Sequence, residues 1–462
     1  MNLPKKFELY TRTLIGNEEY DLLEKALGEP SSVSIRLNTK KTTSKPKETK
    51  LVPWASDAYY LNNRPAFTFD PLFHTGSYYV QEASSMFLEQ ALKTCVKSAV
   101  VALDLCAAPG GKSTLIRSIL PEGSLLVANE PMRQRAQILA ENLTKWGHPD
   151  VLVTNNFPAD FKPLKEMFDL IATDVPCSGE GMFRKDEQAI TEWSIENVEL
   201  CAARQREILA HIWSCLKPGG YLIYSTCTFN VYEDEENVAW IIEELGAELV
   251  QIETKPEWGI LGDFTSNNHS VYHFLPHHAQ GEGFFLALLR KEGEYANTNK
   301  EKKRNKGGVQ TIGLPKECKQ WIEKAAEFAA FATNNGICAI HKSLSETVMR
   351  ISATLRIITA GIPLAEEKGG CWTPQHGLSM STCLQASAFQ RVEVSRIEAI
   401  AYLRKEAICL PSETPRGFIL ITYKGTPLGF TKNIGNRANN LYPNEWRIRS
   451  GYTPSDTTEV LE

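Results

Sequence analysis

From about residue 100 the chain repeats one local pattern: an apolar, β-prone run, a turn of small residues, then an amphipathic helix. The runs lie at 100–106, 125–130, 151–155, 168–174 and 221–226, with helices expected at 111–120, 132–146 and 193–216. Lys217-Pro218-Gly219-Gly220 is expected to cap the last of these helices. Unbroken Val, Ile and Leu suit strands buried on both faces, and their alternation with helices predicts a doubly wound, parallel α/β sheet. In such a sheet the carboxyl-terminal strand ends open into one crevice. Three polar strand ends therefore belong to one site: Cys106-Ala107-Ala108-Pro109-Gly110-Gly111-Lys112, Asp174-Val175-Pro176-Cys177-Ser178-Gly179-Glu180-Gly181 and Ser225-Thr226-Cys227-Thr228.

The flanks are of other kinds. Residues 5 to about 28 carry apolar residues at helical spacing, 34–38 alternate as a strand does, and Gly76 to Met86 lead into a helix reaching about Leu92. After Cys227 an acidic helix is expected from Tyr232 to Leu245, then strands at 247–252 and 284–289. Residues 292–312 are polar and aperiodic and read as a linker that lets the tail swing. Beyond it 315–335 and 344–360 look helical, and a smaller unit has a helix from Val392 to Lys405. A hairpin follows, with Lys424-Gly425-Thr426-Pro427 at its turn.

At 462 residues more than one core is expected. No apolar run approaches the roughly 20 residues of a membrane helix, and the amino terminus lacks an apolar signal core, so a cytoplasmic address is expected. Eleven cysteines without a Cys-x-x-Cys pair form neither a disulfide framework nor a zinc spacing. A net charge of −5 argues against indiscriminate coating of nucleic acid, yet from Arg391 to Ser450 ten Lys and Arg face five Glu and no Asp. His273, His277 and His278 have no partner at a ligand spacing and read as loop histidines, so no metal is expected.

In the Ala-Pro-Gly-Gly turn, glycine removes the side chains that would keep backbone from a ligand, and the helix that follows offers free N–H groups to an anion. Gly110-Gly111-Lys112-Ser113-Thr114 is not a phosphate loop, because that pattern needs glycine where Cys106 stands. Glu130, twenty residues past Gly110 at the next strand tip, is placed to accept from ribose hydroxyls. A carboxylate and a ribose on one molecule describe S-adenosylmethionine. Carbon 5 of cytosine becomes nucleophilic only after a thiolate adds to carbon 6, and a proton must later leave carbon 5. That chemistry needs a nucleophilic thiol, a proton-handling group and a polar group at the N3 edge of the base. Cys227, Cys177 and Asp174 supply one of each. Alone, each cysteine would read as a small buried residue.

As a set, the three strand ends resemble the Sun-type RNA cytosine-5 methyltransferases, and Arg36-Leu37-Asn38 and Val80 to Met86 match that family's amino-terminal motifs. The loop Gly181 to Lys185 and the carboxyl-terminal extension are similar to the bacterial small-subunit ribosomal RNA methyltransferase F group. In the extension, Gly425 to Phe430 and Asn439 to Pro443 with Trp446-Arg447-Ile448 resemble its PUA-like tail. The resemblance implies Cys227 as nucleophile, Cys177 as the residue that assists release, and Asp174 holding the flipped cytosine and the cofactor's amino-acid end. It implies an S-adenosyl-L-methionine pocket lined by Cys106, Ala107, Ala108, Pro109, Gly110, Gly111, Lys112, Glu130, Asn156 and Asp174, where Asn156 replaces the aspartate common in the family. RNA contacts are expected at Arg36, Arg184, Lys185, Lys432, Arg437, Tyr442 and Trp446, with Arg447 and Arg449 also basic there.

The organisation that follows is a Rossmann-like methyltransferase core at 93–291 after an α+β RNA-binding extension at 1–92. A linker at 292–312, a helical or α+β unit at 313–390 and a PUA-like β domain at 391–462 complete it. The expected partner is RNA, foremost ribosomal RNA or the small ribosomal subunit. Transfer RNA as substrate, a DNA cytosine-5 methyltransferase with Cys177 as nucleophile, and a non-catalytic RNA-binding assembly factor stay open as alternatives.

Overall fold

In the computed structural model, residues 2–47, 49–294, 311–333, 336–452, 454 and 459–462 are described; most of the expected linker lies outside them. The centre is a nine-stranded sheet. Its parallel heart runs, in spatial order, Leu216–Thr226, Phe168–Asp174, Val101–Asp104, Leu125–Asn129 and Val151–Thr154. Phe284–Lys291 joins antiparallel beside Leu216–Thr226 and carries Ala247–Leu249 and Val271–Phe274. Helices Gly111–Ile119, Arg133–Trp146, Ile195–Ile212 and Glu235–Leu245 connect the strands and cover the faces, as buried apolar runs require.

Two local expectations fail. Strand Leu216–Thr226 begins before the Pro-Gly-Gly segment that was expected to cap a helix. The register jumps from Phe168↔Leu216 to Leu170↔Tyr221, so Lys217 to Gly220 bulge opposite Asp169, with Gly219 at φ +74°. Residues 315–333 are not α-helical: short 3₁₀ turns lead into strand Phe328–Thr333, and of 344–360 only Ser345–Ser352 is an α-helix. Alanine at 325, 326, 329, 330 and 332 carries the helical signal, but Ala330 sits opposite Ala339 in a five-stranded antiparallel sheet, where pairing overrides propensity.

At the amino end helices Lys5–Ile15 and Asn17–Leu27 precede a four-stranded sheet whose inner strands are Val33–Leu37 and Ala58–Leu61. Near the carboxyl end Gly417–Tyr423 and Thr426–Asn433 form the expected hairpin, with Lys424 at φ +47° and Gly425 at +72° in its two-residue turn. The helix beside it is Arg396–Leu403.

The tail does not hang from a tether. Ile419, Ile421, Tyr423, Leu428 and Leu461 share one core with Ile35, Leu37, Tyr59 and Tyr78 of the amino-terminal sheet. Leu420 and Phe430, on the opposite face, pack with Phe328, Ile337 and Leu364. Ile357–Ala360 extends the central sheet, antiparallel to Val151–Thr154. Burial on both hairpin faces replaces the expected swing with a fixed seat. No helix among the described residues is long and apolar enough to cross a membrane.

Candidate active site

Register places the reactive strand ends side by side. Asp104 pairs with Ala172 and Ala128, Asp174 with Ser225, and Asn129 with Thr154, so the loops after these residues rim one crevice. The chain leaves Asp104 through Cys106 to Pro109 and enters helix Gly111–Ile119 at Gly110, whose φ is +114°. A Cβ at Gly110 would stand 3.3 Å from Leu139 Cδ1, so the turn is close-packed from behind. Ala107 and Ala108 are buried, and no side chain among the described residues caps the helix. Its first-turn N–H groups are left for an anion, and the turn's side chains are small: the residues fit a nucleoside cofactor with a carboxylate end. Burial pushes the Cys106 thiol up to about 12, which disfavours its thiolate. Glu130 follows the next strand directly, where it accepts from Met132 N at 2.9 Å and faces Arg135 at 3.5 Å.

Cys177 Sγ and Cys227 Sγ lie 3.1 Å apart, both unbridged thiols. Cys227 N also points at Cys177 Sγ, at 3.4 Å. The bond to Cys227, then burial and the charge on Cys227, raise the Cys177 thiol well above its ordinary range. Asp174 stands beside them, paired with Lys112 at 2.8 Å and accepting from Ser225 Oγ at 2.9 Å. Burial lowers the Lys112 ammonium, but Asp174, Cys227 and Asp104 together outweigh it, so the lysine stays charged. Its Nζ lies 5.3 Å from the ring centre of Phe284.

A buried acidic frame, absent from the sequence expectations, clamps the two cysteine loops. Glu180 accepts from Trp193 Nε1 at 2.8 Å, Asn230 Nδ2 at 3.1 Å and Phe229 N at 2.6 Å. Glu233 accepts from Ser178 N at 3.0 Å, Asn230 Nδ2 at 2.9 Å and Gln205 Nε2 at 2.7 Å. Asp234 takes the hydroxyls of Thr226 and Thr228, which flank Cys227, at 2.6 and 3.1 Å. Gly181 N donates to Cys227 O at 2.8 Å and closes the clamp. The visible signal was the run Glu233-Asp234-Glu235-Glu236, which reads locally as a helix amino end.

Several expected contacts are spent inside the protein. Asn156 uses its amide on the backbone of Arg356, accepting from N at 3.0 Å and donating to O at 3.2 Å. An aspartate there would lack the donor. Arg36 is buried, bonding Gln81 Oε1 at 3.1 Å and Thr114 Oγ1 at 2.5 Å with Trp146 beneath it, so it braces the core rather than meeting RNA. Arg184 is likewise held by Glu282 at 2.8 Å and Gly281 O at 2.6 Å, with Lys185 on the same carboxylate at 3.3 Å. Tyr442 is buried against Tyr402 and His376, so its ring is not open for stacking, whereas Trp446 is half-buried, edge-on to His376 with Lys145 Nζ 5.2 Å from its ring centre. Lys432, Arg437, Arg447 and Arg449 are exposed. His273 is not a loop residue but lies in strand Val271–Phe274, 2.8 Å from Glu235.

Three family patterns match: the 16S rRNA methyltransferase RsmB/F over residues 92–290, the N-terminal domain of 16S rRNA methyltransferase RsmF over 3–83, and the methyltransferase RsmF PUA domain over 389–448. The chain is 30% identical over 448 residues to the ribosomal RNA small subunit methyltransferase F of Shewanella oneidensis, spanning 91% of this chain and 92% of that one. It belongs to the ribosomal RNA small subunit methyltransferase F family. The Aeromonas hydrophila member is 31% identical, over 85% of this chain and 84% of its own. Among solved structures, a methyltransferase homolog protein from Pyrococcus horikoshii superposes with a TM-score of 0.54 at 26% identity, over 62% of this chain and 95% of that one. NSun6 from the same organism gives 0.54 at 22% identity, over 63% and 99%. As a member of this family the chain is a methyltransferase, and the Sun-type fold and PUA-like tail stand.

Proposed function

We propose that this chain methylates carbon 5 of a cytidine in small-subunit ribosomal RNA, through a transient bond between Cys227 and carbon 6. The observation that carries the reading is the pair of thiols 3.1 Å apart beside the Asp174–Lys112 ion pair. Its relatives are named for small-subunit ribosomal RNA, which supplies the substrate. S-adenosylmethionine, bound by residues 106–112 and Glu130 with Asp174 at its amino-acid end, would supply the methyl group.

The chain's own groups account for the rest. Asp174, fixed by Lys112 and Ser225, accepts from the exocyclic amino group of the flipped base. The Cys227 thiolate donates its electron pair to carbon 6, and carbon 5 becomes nucleophilic. Once that sulfur is bonded to carbon, its charge and its bond to Cys177 are gone. Both raise the Cys177 thiol, so their loss favours its thiolate. With its own proton passed to solvent, Cys177 removes the carbon 5 proton, and the electrons of that bond restore the 5,6 double bond and expel Cys227 as thiolate. The core at 93–291 carries this chemistry, while 1–92 and 391–462 seat the RNA, with Lys432 and Arg437 on phosphate.

The test is a pair of alanine variants incubated with small-subunit RNA and S-adenosylmethionine. Cys227→Ala is expected to abolish methyl transfer without a covalent complex. Cys177→Ala is expected to accumulate an RNA–protein adduct on a denaturing gel. An adduct with Cys227→Ala and none with Cys177→Ala would move the nucleophile to Cys177. Bisulfite sequencing of RNA from cells lacking the protein identifies the cytidine.

A further inference from the structure

Far from the cysteine pair in sequence, two histidines converge on one carboxylate. Glu19, in helix Asn17–Leu27, places Oε2 2.9 Å from His277 Nε2 and 2.7 Å from His278 Nε2. The two imidazole centres are 4.4 Å apart, and the three donor atoms all lie within 4.8 Å of one another. Nitrogen and oxygen ligands bind zinc at about 2.0–2.2 Å, which for a tetrahedral set puts donors about 3.3–3.6 Å apart. Each Glu19 contact needs to open by about 0.4–0.9 Å to admit such an ion.

The surroundings fit a cation. Among the described residues His277 Nδ1 is buried without a hydrogen-bond partner, so the ring's one polar contact is Nε2 with Glu19. In the metal-free protein Nε2 carries the proton that Glu19 accepts, and a cation takes the Nε2 lone pair once that proton has moved to Nδ1. His277 is nearly enclosed, while the side chains of His278 and Glu19 are 31% and 41% exposed, which leaves a path for entry and a side open for a water ligand. Two imidazoles and a carboxylate suit zinc and its neighbours rather than magnesium or calcium.

We propose that Glu19, His277 and His278 form a binding site for a divalent transition metal ion, which fastens the amino-terminal helices to the loop after strand Val271–Phe274. The loop is well placed for that purpose. Its Gly281 carbonyl and Glu282 carboxylate hold Arg184, just beyond the Pro-Cys turn, and the helices share a core with Phe183, Trp193, Phe229 and Leu275. The sequence spacing concealed the site because Glu19 lies 258 residues from His277.

The test uses the full chain, reduced and stripped of metal by a chelator, titrated with Co²⁺ and then with Zn²⁺. One equivalent of Co²⁺ is expected to give visible ligand-field bands without a sulfur-to-metal charge-transfer band, and excess Zn²⁺ to raise the melting temperature. His278→Ala and Glu19→Gln alter partly exposed positions, so both are expected to keep the metal-free melting temperature. Each is expected to weaken Co²⁺ binding by about tenfold or more and to lose the Zn²⁺ shift. No Co²⁺ bands, bands that persist in both variants, or a charge-transfer band from thiolate ligands would each overturn the proposal.

Discussion

Asn156→Asp separates two roles for one amide. The side chain is 8% exposed and lies just past strand Val151–Thr154, where it forms a two-way pair with the Arg356 backbone that Asn155 N reinforces by donating to Arg356 O at 3.1 Å. Aspartate keeps the acceptor for Arg356 N, loses the donor, and sets a carboxylate oxygen against the Arg356 carbonyl. Losing that part-buried hydrogen bond and setting two oxygens against each other costs about 1–3 kcal/mol. If that cost falls on the edge pairing of Ile357–Ala360, the strand opens about 5- to 150-fold more often. Native-state hydrogen exchange on the full chain reads this as faster exchange in residues 357–360 with the inner strands unchanged. The effect should shrink at low pH, because a protonated carboxyl recovers the donor. Unchanged protection at 357–360 together with altered S-adenosylmethionine affinity would refute the reasoning, since the amide would then serve the cofactor.

The acidic frame gives a pH signature. Burial, then the charge of Glu233, push the Glu180 carboxyl from 4.5 up to about 7, against its three hydrogen-bond donors. The folded state therefore holds a proton that the unfolded chain releases between those values. The stability tied to that proton is full below pH 4.5 and lost as pH climbs through about 7, a swing of about 3 kcal/mol. Melting temperatures are expected to fall more steeply from pH 5 to 8 in the wild type than in Glu180→Gln, and parallel curves would dismiss the shift. A Cβ at Gly181 would stand 2.5 Å from Gly283 O, backbone against backbone. Gly181→Ala is expected to displace the Pro-Cys turn, costing about 1–3 kcal/mol of stability and lowering kcat while leaving KM for S-adenosylmethionine in place. An unchanged kcat would show that the turn tolerates the shift.

What could be seen in advance depended on how far apart the interacting residues stand along the chain. The strand runs and the Ala-Pro-Gly-Gly turn are local signals, and once parallel order is inferred, the meeting of Cys106, Asp174 and Cys227 at one edge follows from geometry. Burial of charge follows no such rule. Arg36 and Arg184 have the composition of an RNA-facing surface, yet each is enclosed by partners about 45 to 158 positions away, among them Gln81, Thr114, Glu282 and the Ala26 carbonyl. Glu233 and Asp234 likewise look like ordinary acids at a helix start, although each is enclosed and holds a strand-end loop. The alanines near 330 fail for the complementary reason: they have little side chain to oppose a sheet, and the partner strand decides. Periodicity reports which face of an element is apolar, whereas the use of a polar side chain depends on what is brought opposite it. The residues that hold this site together, Glu180, Glu233 and Asp234, are for that reason harder to read than the residues that react in it.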